Sequence, residues 1–219
     1  MEQTRVSRTI AAIQADLTWL TRALHDMDMI EVQDDREGYE KLSNAVASRS
    51  ELITCRLRKL VYPRSMSKRE YLLSAAAALN MKVSFEDDIW KMRLPGLAPK
   101  RRKRNHAAFI LDPFEAVVEQ YAQTHITYAF GHCTVCFVHV YQWDMPERCI
   151  RDYDNLELKG YLDIAVTVAM VDDGGSWCDV YHTTELGEED CLWIFIMDSR
   201  RFPEWIKARK KGLQAIEKQ

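Results

Sequence analysis

Arg151-Asp152-Tyr153-Asp154-Asn155-Leu156-Glu157-Leu158-Lys159-Gly160-Tyr161-Leu162-Asp163 sets four carboxylates, an amide and an amine in one short run, and Asp172-Asp173 follows nine residues later. A buried core does not tolerate that density of polar groups unless a divalent cation or a phosphate sits among them. If Asp154 caps a helix that continues to about Ala169, then Asn155, Lys159 and Asp163 fall at successive i+4 steps on one face. Leu158, Leu162 and Ala165 line the neighbouring apolar face. Asp152 and Asp154 approach this stripe from the preceding loop, and Gly174-Gly175 permits a tight turn that folds Asp172 and Asp173 back toward it. Each half alone is also a common cap or turn arrangement. Neither half accounts for Lys159 and Asp163 sharing a face.

This donor set suits phosphodiester chemistry. Hydrolysis needs a nucleophilic water near neutral pH and compensation for charge building on the phosphoryl oxygens, and magnesium supplies both while taking one or two carboxylates as ligands. The cation also offsets repulsion between the carboxylates. Lys159 would stabilise the developing oxyanion or position the water, with Asn155 orienting the groups around it.

Upstream, Val6, Ile10, Ile13, Leu17, Leu20, Leu24 and Met27 recur at alternating steps of four and three, which predicts a helix over residues 4–31. Tyr39, Leu42, Val46, Ile53, Leu57 and Leu60 predict a second over 36–62. The two form a helical hairpin, either burying its seams between the two helices or against the main domain, or serving as an arm for dimerisation or a protein partner. Ser67-Lys68-Arg69-Glu70 has capping-box spacing ahead of an alanine-rich third helix. From Met81 alternation replaces the helical period, predicting a strand or hairpin that ends at Pro95-Gly96. The expected domains are therefore a helical region over 1–80 and a mixed α/β region over 81–219.

Lys100-Arg101-Arg102-Lys103-Arg104 is an isolated basic run in a protein of formal charge −3. A solvated charge run is the commonest fate of such a segment, and a phosphate-contacting loop is the sharper reading. Asp112-Pro113-Phe114-Glu115 predicts a helix from about Pro113 to Thr124. His132 to Gln142 reads as a long apolar strand. Cys178–Thr184 and Cys191–Met197 read as an antiparallel hairpin, and residues 203–219 as a basic helix.

Among 219 residues, 47% are hydrophobic and 29% charged, which excludes disordered and collagen-like classes. No apolar run nears the ~20 residues of a membrane span and the first residues lack a secretory core, so the expected setting is cytoplasmic, without a membrane partner. The six cysteines then read as reduced thiols. Cys133-Thr134-Val135-Cys136, flanked by His132 and His139, invites a zinc reading, but on a strand the two thiols point to opposite faces. No nucleophile elbow or phosphate-cradling glycine loop is present.

Taken together, the strand, the loop, Asp152-Tyr153-Asp154-Asn155, the helical Lys159 and Asp163, and Asp172-Asp173 before a final strand pair resemble the RusA family of Holliday-junction resolvases over roughly residues 92–198. The resemblance implies an α+β chain: an N-terminal helical hairpin joined to a small mixed α/β domain of that family. It implies a magnesium-dependent endonuclease, with manganese as an alternative ion, that cuts branched DNA as a homodimer in recombination and repair. Asp152, Asp154 and Asp173 would hold the metal, Lys159 would be the accompanying catalytic amine, and Asn155, Asp163 and Asp172 match supporting positions. Lys100, Arg101, Arg102, Lys103 and Arg104 would contact DNA. The alternative is a noncatalytic DNA-binding or adaptor protein that keeps the fold and recruits a partner through its helical arm.

Overall fold

The computed structural model describes residues 2–31, 35–61, 68–96, 108–144, 150, 152, 153, 156 and 158–216, with side chains for these except 2–5, 59, 61, 108 and 210–216. The described residues form six helices and a five-stranded mixed sheet. This is an α+β architecture. Two compact units divide the chain, Met1–Tyr71 and Leu72–Gln219. No helix among the described residues is long and apolar enough to cross a membrane.

The first unit pairs α1 (Glu2–Met29) with α2 (Arg36–Val61). Ile13, Ala23 and Ile53 are buried, and so is Asp16. The Asp16 carboxylate accepts a hydrogen bond from Arg49 at 2.7 Å and pairs with Arg56 as well. Arg49 also lies over the Trp19 ring, 4.8 Å from its centroid. Turning Asp16 toward the α2 guanidiniums rotates α1 away from a seam made only of its seven-residue apolar repeat. Ile10, Leu17 and Leu24 are exposed as a result. A buried carboxylate costs stability unless it is paired, so this pair sets which face of α1 meets α2.

Helix α3 (Lys68–Ala78) straddles the division, and its Ala76 belongs to the core of the second unit. The helix stops at Asn80, whose φ of 52° is left-handed. The Met81 N–H donates to the Ala76 carbonyl at 2.9 Å, which closes a Schellman cap. Strands β1 (Lys82–Glu86) and β2 (Ile89–Pro95) pair antiparallel. Their turn is Asp87-Asp88, both at positive φ, the two-residue type I′ geometry that matches strand twist.

Helix α4 spans Ala108–Thr124, so Asp112 does not begin it and Pro113 lies inside it. Proline removes one intrahelical hydrogen bond. The helix extends upstream regardless because Ile110 and Leu111 pack against the core that holds Phe114 and Val118, and each such burial contributes about 1–3 kcal/mol.

Strand β3 (Cys133–Gln142), helix α5 (Lys159–Ala169), strand β4 (Cys178–Gly187), strand β5 (Cys191–Asp198) and helix α6 (Phe202–Ile216) follow. The sheet order is β1-β2-β5-β3-β4. β3 and β4 are parallel, and the other pairings are antiparallel. The expected β4–β5 hairpin is therefore absent: β5 lies between β2 and β3, and β4 lies on the far side of β3. The link between them straddles the end of β3, where the Gln142 N–H donates to Asp190 Oδ1 at 2.9 Å and the Trp143 N–H to the Gly187 carbonyl at 3.0 Å. Side-chain character decides the placement. β5 is apolar on both faces and takes an interior slot, whereas the polar β4 is suited to an edge.

One sheet face carries Trp90, Met92, Val135, Phe137, Ile194 and Ile196 against α4 and α5. The other carries Ile89, Cys136, Val138, Phe195 and Met197, with Phe202 and Trp205 of α6 packed on them. Arg209 of α6 donates to Glu185 of β4 at 2.7 Å and lies 5.0 Å from the Phe195 ring centroid.

Asp16→Ala should lower stability by about 1–3 kcal/mol, because it leaves two partly exposed guanidiniums without their shared carboxylate. Leu17→Ser, at an exposed position, should cost under about 0.5 kcal/mol. Urea denaturation followed by circular dichroism measures both.

Candidate functional site at the carboxyl ends of the parallel strands

Because β3 and β4 are parallel, their carboxyl ends lie together, and α5 must run back between them. The register sets Phe137 opposite His182 and His139 opposite Thr184. All four point to the α5 side of the sheet, by alternation from Cys133, Val135 and Cys178 in that core. Tyr153 lies on them. Its ring centroid is 5.2 Å from that of His139 and 5.0 Å from that of His182, and His182 in turn stacks on Phe137 at 5.3 Å. The Tyr153 hydroxyl is 2.8 Å from Thr184 Oγ1, and His139 Nε2 is 3.4 Å from His182 Nδ1. This holds the middle of the Asp152-Tyr153-Asp154 motif against the sheet.

The cluster is arranged for neutral imidazoles. Burial pushes His139 down to about 4, and the neighbouring His182 adds to the effect. Burial also lowers His182. At neutral pH one ring N–H can therefore donate to the other ring's lone pair.

Helix α5 begins at Lys159, not at Asn155, and its N-cap is Leu158, with no side-chain cap. The expected cap at Asp154 is thereby corrected. The physical reason lies upstream: Tyr153 is held on the sheet, Leu156 is buried, and the Leu156 N–H closes a separate turn on the Tyr153 carbonyl at 3.2 Å. That backbone is not available to α5. The polar stripe contracts to Lys159 and Asp163, whose Nζ and Oδ1 are 3.0 Å apart and whose side chains are 74% and 54% exposed. Asp154 and Asn155 lie outside the described residues, as do Lys100, Arg101, Arg102, Lys103 and Arg104.

Gly160 lets α5 approach α4 closely. A Cβ there would lie 2.6 Å from Leu111 Cδ1, so the first turn of α5 sits against the amino-terminal part of α4.

Asp172 and Asp173 are attached to the other end of α5. Asp172 Oδ1 accepts the Gly174 N–H at 3.0 Å, an ordinary turn contact. Asp173 acts on the thiol of Cys178, the first residue of β4. Thr184, which holds Tyr153, is six residues further along β4, about 20 Å at strand rise. Magnesium ligands on one ion lie within about 4 Å of each other. Among the described residues, no three histidine, cysteine, aspartate or glutamate side chains are grouped to hold a metal.

Cys133 and Cys136 do face opposite ways, the first into the α4/α5 core and the second into the α6 core. Burial pushes Cys136 up to about 12. His132 Nδ1 is 2.9 Å from Ser199 Oγ, which donates to Asp179 Oδ2 at 3.3 Å. The same nitrogen lies 3.9 Å from Asp179, so no serine–histidine–aspartate relay is formed, since that requires the two ring nitrogens to face different partners.

The His139–His182–Tyr153–Thr184 group has no local signature in the sequence. Its signal is spread over two strands and a loop and emerges only once β3 and β4 are paired in parallel.

The chain belongs to the family of unknown function DUF6100. The family model matches residues 2–219, so both the helical unit and the sheet unit fall within it. No protein of curated function matches the chain.

His139 gives a pH prediction with a definite sign. Its folded value near 4 lies below the usual 6.5, so the unfolded chain binds the proton first. Its contribution is present above about pH 6.5 and is lost as pH falls toward 4. Roughly 2–3 kcal/mol should disappear between pH 7.5 and 4.5. Urea midpoints at the two pH values should fall less in His139→Gln than in the native chain; equal falls would contradict the assignment.

Proposed function

We propose that the second unit is a RusA-like domain that acts on branched DNA as a magnesium-dependent endonuclease. One observation carries the reading: the anchoring of Tyr153, the residue after Asp152, on His139, His182 and Thr184 in the carboxyl-terminal halves of β3 and β4. Ligands of open α/β sheets bind outside the carboxyl ends of the strands. A lysine at a helix amino terminus works against the helix dipole, and that cost is offset when an anion binds there. Lys159 is such a lysine.

In this reading Asp152 and Asp154 hold the metal, and Lys159 compensates charge on the phosphoryl oxygens. Asp173 belongs to the opposite end of β4 and is not required. The basic run Lys100 to Arg104 ends four residues before α4. In this reading that run contacts the DNA. Two copies on one four-way junction would suit a two-fold substrate.

The separation of Asp173 from Tyr153 favours a second reading, a noncatalytic DNA-binding protein. Fluorescent four-way junctions and plain duplex, each incubated with and without magnesium, separate the two. The nuclease reading expects magnesium-dependent cutting of the junction, a loss of about a hundredfold or more in Asp152→Asn and Asp154→Asn, and a change of no more than about twofold in Asp173→Asn. Junction binding without cutting would support the second reading. If neither DNA is bound or cut, both fail.

A further inference from the structure

The amino-terminal ends of β3 and β4 hold a group of sulfur atoms that the proposed function does not use. Cys133 and Cys178 are register partners on parallel strands and point to the same side of the sheet. Met170 ends α5, and its Sδ lies 3.5 Å from Cys133 Sγ. All three residues are buried, at 0%, 6% and 2% exposure. The Cys133 thiol donates to that Met170 sulfur, and the Cys178 thiol to its neighbour, the Asp179 carbonyl, at 3.6 Å. Three sulfurs on one metal with bonds of about 2.3 Å lie about 4 Å apart; the 3.5 Å between Cys133 and Met170 is close to that spacing, and Cys178 is the register partner of Cys133 on the next strand.

We propose that Cys133, Cys178 and Met170 form a site for a soft monovalent cation, copper(I). Thiolate and thioether donors select such ions over magnesium or calcium. Binding converts two thiols to two copper–thiolate bonds and releases two protons, with copper remaining in the +1 state throughout. The cation brings the charge of the two thiolates from −2 to −1. It is needed for that purpose, because two neighbouring thiolates repel each other in a buried site. Entry would be from the edge of the sheet, where Cys178 follows the exposed residues Gly175, Ser176 and Trp177. Cys136, on the opposite face, takes no part.

The test is an anaerobic titration of the full chain with an acetonitrile complex of copper(I), against a chromophoric copper(I) chelator, in a Cys55→Ser, Cys149→Ser background. The expected result is one copper per chain, bound at least tenfold more weakly in Cys133→Ser and Cys178→Ser and unchanged in Cys136→Ser. Met170→Leu keeps the side-chain volume and therefore the fold. It should also weaken binding by about tenfold. X-ray absorption of the loaded protein should give a shell of sulfur alone. Copper binding that is absent, indifferent to Met170→Leu, or marked by a nitrogen or oxygen shell would overturn the proposal.

Discussion

The arrangement of the second unit depends on the parallel pairing of β3 with β4. Parallel neighbours cannot be joined by a tight turn, so the chain must leave the carboxyl end of β3 and return along the face of the sheet before β4 can begin. Helix α5 is that return. Its first turn is forced to the carboxyl ends of the strands and its last turn to their amino ends. The connection before α5 contains Asp152 and Tyr153, and the one after it contains Asp172 and Asp173. The two halves of the acidic motif are thus attached to opposite ends of the same helix. The pairing also creates the slot on the other side of β3 that β5 fills.

Much of the fold was legible from local pattern. The helical periods of α1 and α2 and the alternation of β1 and β2 each stand out within a single window of sequence, and they match the structure within a few residues. The errors have a common cause. Asp154 has the chemistry of a helix cap, but Tyr153 and Leu156 bind the backbone to the sheet, and the helix starts only at Lys159. Asp112-Pro113 has the chemistry of a helix start, but Ile110 and Leu111 pack on the core and draw the helix upstream. β4 and β5 are separated by a short turn-like link, but the two-sided apolar character of Cys191–Met197 claims an interior place. In each case packing between distant elements overrode a correct local signal.

Buried polar groups show the same dependence on partners. Asp16 is tolerated because α2 offers two guanidiniums, and its presence turns α1 away from an all-apolar seam. His139 is tolerated in its neutral form because His182 and Tyr153 cover it. The candidate site is built on this second arrangement: a sheet surface that favours uncharged imidazoles, with exposed Lys159 and Asp163 beside it. Membership of the DUF6100 family spans both units, which ties the helical hairpin to the sheet domain as parts of one inherited chain.

The parallel register is the claim on which the account stands, and nuclear Overhauser contacts in the isotope-labelled protein test it directly. The account predicts cross-strand contacts joining Val135 to Val180 and Phe137 to His182, and others joining Val135 to Ile196. A ladder joining β4 to β5 across residues 188–190, with no contacts between β3 and β4, would contradict it.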